Sequence, residues 1–357
     1  MDWLYRDALE RALFGSCSSV EEQHFETPAH LARIRNIVVS SGGARGAVLF
    51  GAFKTLFTIV PKFMGQIERV AGTSVGALTA AMLATGISKK MLIEMGKVNF
   101  AAILGRQPIQ KTGNRFTSFI RQCIRINLLL RLSQINFREK FQDHNPEMAR
   151  EIQRQLCEPD IRLAKMTFAM LSYLREIDPE HFKELYITAT EQDGSQQMFS
   201  AEMTPDHDIA VACRASASIP VLFRPVEMEI KGERKTLYDG GIVEYAPLQI
   251  FERKGVGAQE ILVIVFEDSR KSIFDMAIRK ERFLREGIIP LCTGIALEKP
   301  SSELKASVLK KIKDFYPHAI TFAVDLRPTA FGKASSHPEK YAQIGQETME
   351  VFLSRYS

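Results

Sequence analysis

Val70-Ala71-Gly72-Thr73-Ser74-Val75-Gly76-Ala77 places a serine between a short apolar run and a run of small residues. Ile67 to Ala71 reads as a brief buried strand. Ala77-Leu78-Thr79-Ala80-Ala81-Met82-Leu83-Ala84 reads as a buried helix that stops near Gly86. A serine on so tight a strand-to-helix turn has an exposed hydroxyl, and the following helix points its positive end at it. The spacing is G-x-S-x-G, the arrangement of an exposed nucleophile. The same letters also serve as an N-cap serine at the head of an ordinary helix. The motif alone does not choose between the two.

The chain has 357 residues, enough for one large α/β domain or two ordinary ones. Its net charge of +5 is modest for that length and does not point to nucleic acid. The charge is uneven, however. Arg106 to Lys140 holds eight Lys/Arg against the single acid Glu139, a local +7 that leaves the remainder at −2. Cys17, Cys123, Cys157, Cys213 and Cys292 are dispersed and form no C-x-x-C pair, which favours reduced thiols over a disulfide framework or a zinc site. The charged start Met1-Asp2-Trp3-Leu4-Tyr5-Arg6-Asp7 is unlike a Sec signal peptide, and no apolar run approaches the ~18 residues of a membrane span. The expected location is the cytoplasm with peripheral membrane association. Secretion by a route other than Sec would leave no mark of this kind.

Upstream of Ser74, Arg35 to Ser40 reads as the first strand of a sheet, followed by Ser41-Gly42-Gly43-Ala44-Arg45-Gly46 and a helix from Ala47 to about Phe57. Gly42, Gly43 and Gly46 give G-G-x-x-G, which is neither nucleotide-binding spacing. The stretch is either a plain βα turn or an oxyanion hole, in which backbone N–H groups converge on a developing alkoxide. Gly43 precedes Ser74 by one strand–helix–strand unit, so adjacent parallel strands would set the two loops side by side. Residues 1–30 read as an N-terminal arm with a short helix, and 31–357 as one catalytic domain. Within it, residues 98–182 are basic, helical and poor in strand signals, a lid or cap insertion. Strands are expected at Glu184–Thr190, Gln197–Ser200, Val226–Ile230, Lys235–Tyr238, Ile261–Phe266 and Ala319–Asp325. Helices are expected at Asp208–Ser216, Ser272–Leu291, Ser302–Phe315 and His337–Tyr356. His318 and His337, the histidines that follow Asp239-Gly240-Gly241, read as surface residues.

Three pieces now stand in order: Gly42-Gly43-Ala44-Arg45-Gly46, Gly72-Thr73-Ser74-Val75-Gly76 and Asp239-Gly240-Gly241. Together they resemble the patatin-like phospholipase family, with its G-G-x-[RK]-G oxyanion loop, G-x-S-x-G elbow and D-G-[GA] acid loop. Thr188-Ala189-Thr190 and Ala215-Ser216-Ala217-Ser218-Ile219-Pro220, with Phe223 and Pro225, are also family-like, and the resemblance runs from about Asn36 to about Leu353. One departure is Glu244-Tyr245-Ala246-Pro247, where the family often has Asn-Pro. The resemblance implies a three-layer α/β/α fold with a mostly parallel sheet and a lipid acyl hydrolase of phospholipase A type. It implies a Ser74–Asp239 dyad and no metal or organic cofactor. An acyltransferase using the same acyl-enzyme, or an idle lipid-binding protein, are the alternatives.

A serine hydroxyl is a poor nucleophile until a base takes its proton, and with no histidine placed for the task Asp239 is the base expected. A carboxylate does this work only where burial raises its pKa toward working pH. The N–H groups of Gly43 and Ala44, with Val75, would hold the oxyanion. Arg45 either fixes the loop or approaches an anionic head group, the first being favoured. In the basic stretch, Phe116, Phe119, Ile120, Cys123 and Ile124 share one helical face. Arg121 and Arg125 lie opposite, with Arg115 and Arg131 at either end. That is either an amphipathic segment docking on anionic phospholipid or a lid helix packed on the domain. A partner protein could switch it between the two.

Overall fold

A computed structural model describes residues 30–105, 110–133, 145–268, 293–295 and 301–355. In chain order the elements are β1 (Asn36–Val39), α1 (Val48–Ile59), β2 (Arg69–Thr73), α2 (Val75–Ala84), α3 (Lys89–Gly96), α4 (Phe100–Leu104), α5 (Asn114–Leu132), α6 (Pro146–Cys157), α7 (Phe168–Ile177), β3 (Glu184–Glu191), β4 (Gln196–Phe199), α8 (Ile209–Ser216), β5 (Val226–Ile230), β6 (Glu233–Asp239), α9 (Gln249–Arg253), β7 (Ile261–Asp268), α10 (Ser301–Phe315), β8 (Ala319–Val324), α11 (Phe331–Ser336) and α12 (Pro338–Ser354).

The strands form one sheet in the order β5-β6-β3-β2-β1-β7-β8, with β4 on β3. The pairs β3–β2, β2–β1, β1–β7 and β7–β8 are parallel, and the pairs made by β4, β5 and β6 are antiparallel. The central strands are buried on both faces, so they read in the sequence as continuous apolar runs rather than alternations. Their side chains still divide strictly. Ile37, Val39, Val70, Leu185, Ile187, Leu262, Ile264 and Phe266 enter one core. Val38, Ala71, Tyr186, Ile261, Val263 and Val265 enter the other. The first core is closed by α1, α2, α5, α8 and α12, and the second by α9 and α10. The result is an α/β fold with helices on both faces of a mostly parallel sheet, as expected.

α1 and α12 cross backbone to backbone, because a Cβ at Gly51 would clash with the Ala342 carbonyl and one at Gly345 with that of Val48. Element ends move by a residue or two from expectation: the elbow strand is Arg69–Thr73 rather than Ile67–Ala71, and α1 follows a 3-10 turn at Gly43–Ala47. The expected helices in residues 1–29 and over Ser272–Leu291 lie outside the described residues. Residues 98–182 contain α4 to α7 and no strand among the described residues, only two isolated bridges, Lys111 to Phe223 and Thr167 to Asp208. No helix of the described residues is long and apolar enough to cross a membrane.

Candidate active site

β2 ends at Thr73 and α2 begins at Val75, so Ser74 alone turns the chain, with φ 58° and ψ −120°. A non-glycine residue held there costs on the order of 1–3 kcal/mol, which the surroundings must offset. Part of the reason it persists is backbone proximity. A Cβ at Gly72 would clash with the Gly76 carbonyl, and one at Gly76 with that of Val39, so both flanking positions need glycine for a turn this close. The Ser74 N–H donates to Ser216 Oγ at 2.8 Å, and the Ser74 carbonyl starts the helix by accepting from Ala77 N–H at 2.9 Å.

β6 pairs with β3 up to Ala189↔Asp239 and delivers Asp239 beside the elbow. Ser74 Oγ donates to Asp239 Oδ2 at 2.7 Å, and Asp239 Oδ1 accepts the Gly241 N–H at 2.8 Å. Both residues are nearly out of solvent, at 2% and 5% exposure. Gly240 fits tightly against the Thr188 carbonyl and Gly241 against Ser41 Oγ, which ties the acid loop to the glycine-rich loop. The histidines that follow Asp239 sit elsewhere. His337 is exposed with Nδ1 2.8 Å from Ser336 Oγ, and His318 is buried with its ring 6.2 Å from that of His30. The surface reading of His318 therefore fails, because the N-terminal edge of β8 packs under residues read separately in the chain.

In the glycine-rich loop, Gly43 has φ +57° and opens the 3-10 turn. The Ala44 N–H donates to the Pro328 carbonyl at 2.7 Å, and buried Arg45 donates from Nε to the Leu326 carbonyl at 2.7 Å. This corrects the expected donor set, since Ala44 N–H is turned to the 326–328 strap. Gly43 and Val75 each head a helical turn, where the leading N–H groups have no intrahelical acceptor. Gly46 lies so close to Val75 that a Cβ would strike its side chain, which locks the loop to the elbow.

Ser74 and Gly43 are among the residues that line a cavity of about 120 Å³, which opens to solvent. Its walls include Met82, Leu83, Leu92 and Met95 together with Phe116, Ile219, Phe223 and Phe331. Ser74, Thr79 and Ser335 supply its polar side chains, and among the described residues no charged side chain lines it.

Of the two readings of the basic stretch, membrane docking and a helix packed on the domain, this conformation has the second. Phe116, Phe119, Ile120, Cys123 and Ile124 of α5 are buried in the core. Arg121 donates twice to Asp208 Oδ2, at 2.8 and 2.7 Å, and to the Arg162 carbonyl at 2.6 Å. Arg125 donates to the Glu158 carbonyl and Arg131 to that of Gly86. Arg115 is exposed. In this conformation α5 is a packed helix, and Arg121, Arg125 and Arg131 donate to protein acceptors.

Sequence reasoning passed over Arg214. Its side chain is buried at 3% exposure and donates to Ser218 Oγ, Thr112 O and Arg224 O, with the guanidinium 4.6 Å from the Phe223 ring centre. Burial pulls its pKa down to about 10. Glu244, the departure after the acid loop, is also buried. Burial first, then the negative charge of Glu252, pushes its pKa up to about 7. Since the folded value is raised, Glu244 contributes stability below the unfolded value of 4.5 that is lost as pH rises through about 7. Glu244→Gln should therefore be more stable than wild type at pH 8, by up to roughly 3 kcal/mol, and the gap should close toward pH 4.5. Denaturant melts at pH 5 and pH 8 check this; equal gaps at both would place the pH dependence elsewhere.

The family model described as "Patatin-like phospholipase" matches residues 37–252, and the chain belongs to that family. An uncharacterized protein of Acanthamoeba polyphaga mimivirus is 26% identical over 227 residues, 62% of each chain. Uncharacterized protein YqhO of Bacillus subtilis (strain 168) is 26% identical over 219 residues, 61% of this chain and 66% of that one. The chain thus spans under two thirds of the length of these relatives. The crystal structure of VipD from Legionella pneumophila superposes with a TM-score of 0.62 at 18% identity, covering 91% of this chain and 67% of that one. At that identity the likeness is one of fold.

Proposed function

We propose that the protein is a serine lipid acyl hydrolase of phospholipase A type that draws its substrate from a phospholipid surface. The observation that carries this is the 2.7 Å bond from Ser74 Oγ to Asp239 Oδ2, with Ser74 on the wall of an apolar cavity lined by no charged side chain among the described residues. An acyl chain fits those walls without desolvating any charge, whereas a charged head group entering them would lose its hydration unpaired.

Asp239 takes the Ser74 proton as Oγ attacks the ester carbonyl. The negative charge that develops on the carbonyl oxygen is held by the N–H groups of Gly43 and Val75, at the positive ends of two helical turns. Collapse breaks the ester bond, and Asp239 returns the proton to the departing lysophospholipid oxygen. Water then attacks the acyl-enzyme with Asp239 again as base, releasing the fatty acid and restoring Ser74. Arg45 holds the oxyanion loop through the Leu326 carbonyl. The steps use no metal or organic cofactor.

Vesicles of phosphatidylcholine with phosphatidylglycerol, followed by mass spectrometry of the products, test the reading. Free fatty acid and lysophospholipid should appear in equal amounts and vanish with Ser74→Ala. Products that persist in Ser74→Ala would overturn it. Acylated alcohol in place of fatty acid, when an alcohol is added, would make the enzyme an acyltransferase.

A further inference from the structure

We infer that Ser216 is a positioning residue for the Ser74 hydroxyl. The inference rests on Ser74 being the nucleophile. β2 and β3 run in register to Thr73↔Thr188, and beyond that pair the chain turns away at Ser74. The Ser74 N–H thus leaves the sheet ladder at a fully buried point, where a donor without an acceptor is costly. Ser216 Oγ accepts that N–H at 2.8 Å and donates its own hydrogen to the Thr188 carbonyl at 2.6 Å. A hydroxyl has one hydrogen, so donation to Thr188 leaves its lone pairs for Ser74. Thr188 is fixed in turn, since its Oγ1 lies 2.7 Å from Thr73 Oγ1.

Ser216 is the last residue of α8 and has no solvent exposure. Two residues on, the Ser218 carbonyl accepts the Asp239 N–H at 3.0 Å. Ser218 Oγ accepts from Arg214 Nη1 at 2.5 Å and donates to the Arg214 carbonyl at 2.9 Å. One turn of chain, 214–218, therefore grips the backbone of both Ser74 and Asp239 from behind the cavity, and sets the span across which Oγ meets Oδ2. If the Ser216 bond is lost, Ser74 is free to relax from φ 58°, ψ −120° toward an unstrained conformation. That rotation carries Cβ and Oγ away from Asp239. Many of the residues lining the acyl cavity, on α1 to α5, lie away from this bond, although Ser74 and Ala217 are also among them.

The test follows Ser74 labelling by a short-chain fluorophosphonate, alongside kcat on phospholipid vesicles, oleate binding and a thermal melt. Ser216→Ala should slow labelling and kcat together, roughly ten- to hundredfold, while the oleate Kd moves less than about twofold. Ser216→Cys keeps the size of the side chain and a weak acceptor and should fall between, and it decides the matter if Ser216→Ala does not fold. Labelling at the wild-type rate in the folded variant overturns the inference and leaves the proposed function standing. A matching loss of oleate affinity also overturns it, since that is general loosening. Failure of wild type itself to label at Ser74 overturns both.

Discussion

Asp239→Asn is expected to lower turnover roughly 10 000-fold, and Ser74→Ala at least as far, with melting temperatures close to wild type. The two carboxylate oxygens have separate tasks: Oδ1 accepts the Gly241 N–H and Oδ2 accepts the Ser74 hydroxyl. In the asparagine variant the amide oxygen keeps the Gly241 bond, so the acid loop stays in place. The amide nitrogen then faces Ser74 Oγ as a donor and cannot take its proton. Geometry is preserved while the base is removed, which is the cleanest separation available at this site. Fluorophosphonate labelling of Ser74 should fall in parallel with kcat. The histidines have other places: His207 Nε2 lies 2.9 Å from the Glu229 carbonyl, and His181 Nδ1 2.9 Å from Asp178 Oδ2. Turnover retained in Asp239→Asn would nonetheless move the base to one of His207, His318 or His337, and substitution of each would find it.

The βα units were legible in the sequence because each is local. A buried apolar run, a glycine turn and a helix of small residues announce themselves within about twenty residues, and the strands fall within two or three residues of where they read. Strand order is another matter. That β7 lies between β1 and β8, next to the oxyanion loop, depends on its pairing with β1, whose partners are over two hundred residues apart, and on its pairing with β8. The three loops could be picked out as motifs, but not what holds them. Arg45 reaches Leu326 across 281 positions, and Ser74 reaches Ser216 across 142. The choice between the two readings of the α5 arginines was illegible for the same reason. Helical periodicity puts Arg121 on a polar face, but Asp208, 87 residues on, meets it there and turns a solvent charge into a buried pair. The family model ends at residue 252, yet Phe331, Ala334 and Pro338 beyond it line the cavity. Motif reading therefore picks out the loops that meet at Ser74 and Asp239 and misses the later chain that lines the cavity beside them.

Gly43→Ala tests whether that later chain matters to the chemistry, and it should lower kcat about 10²- to 10³-fold, about 2.7–4 kcal/mol in the barrier. Two effects act at once. The φ of +57° is one that a side chain adopts only with strain, and the new Cβ would run into the Pro328 carbonyl. Relief requires the loop or the 326–328 strap to shift, and the strap is fixed to the loop by the Ala44 N–H and by Arg45. Either shift moves the Gly43 N–H from the place where the oxyanion forms. Because that donor matters most in the transition state, KM should change little. Arg45→Ala provides the comparison, since it loosens the strap through Leu326 without adding an atom beside Ser74. A similar fall in kcat from both variants would assign the effect to the position of the loop as the strap sets it. A fall from Gly43→Ala alone would assign it to the Gly43 donor. A raised KM with kcat unchanged in Gly43→Ala would make the loop a substrate-binding feature and remove it from the chemistry.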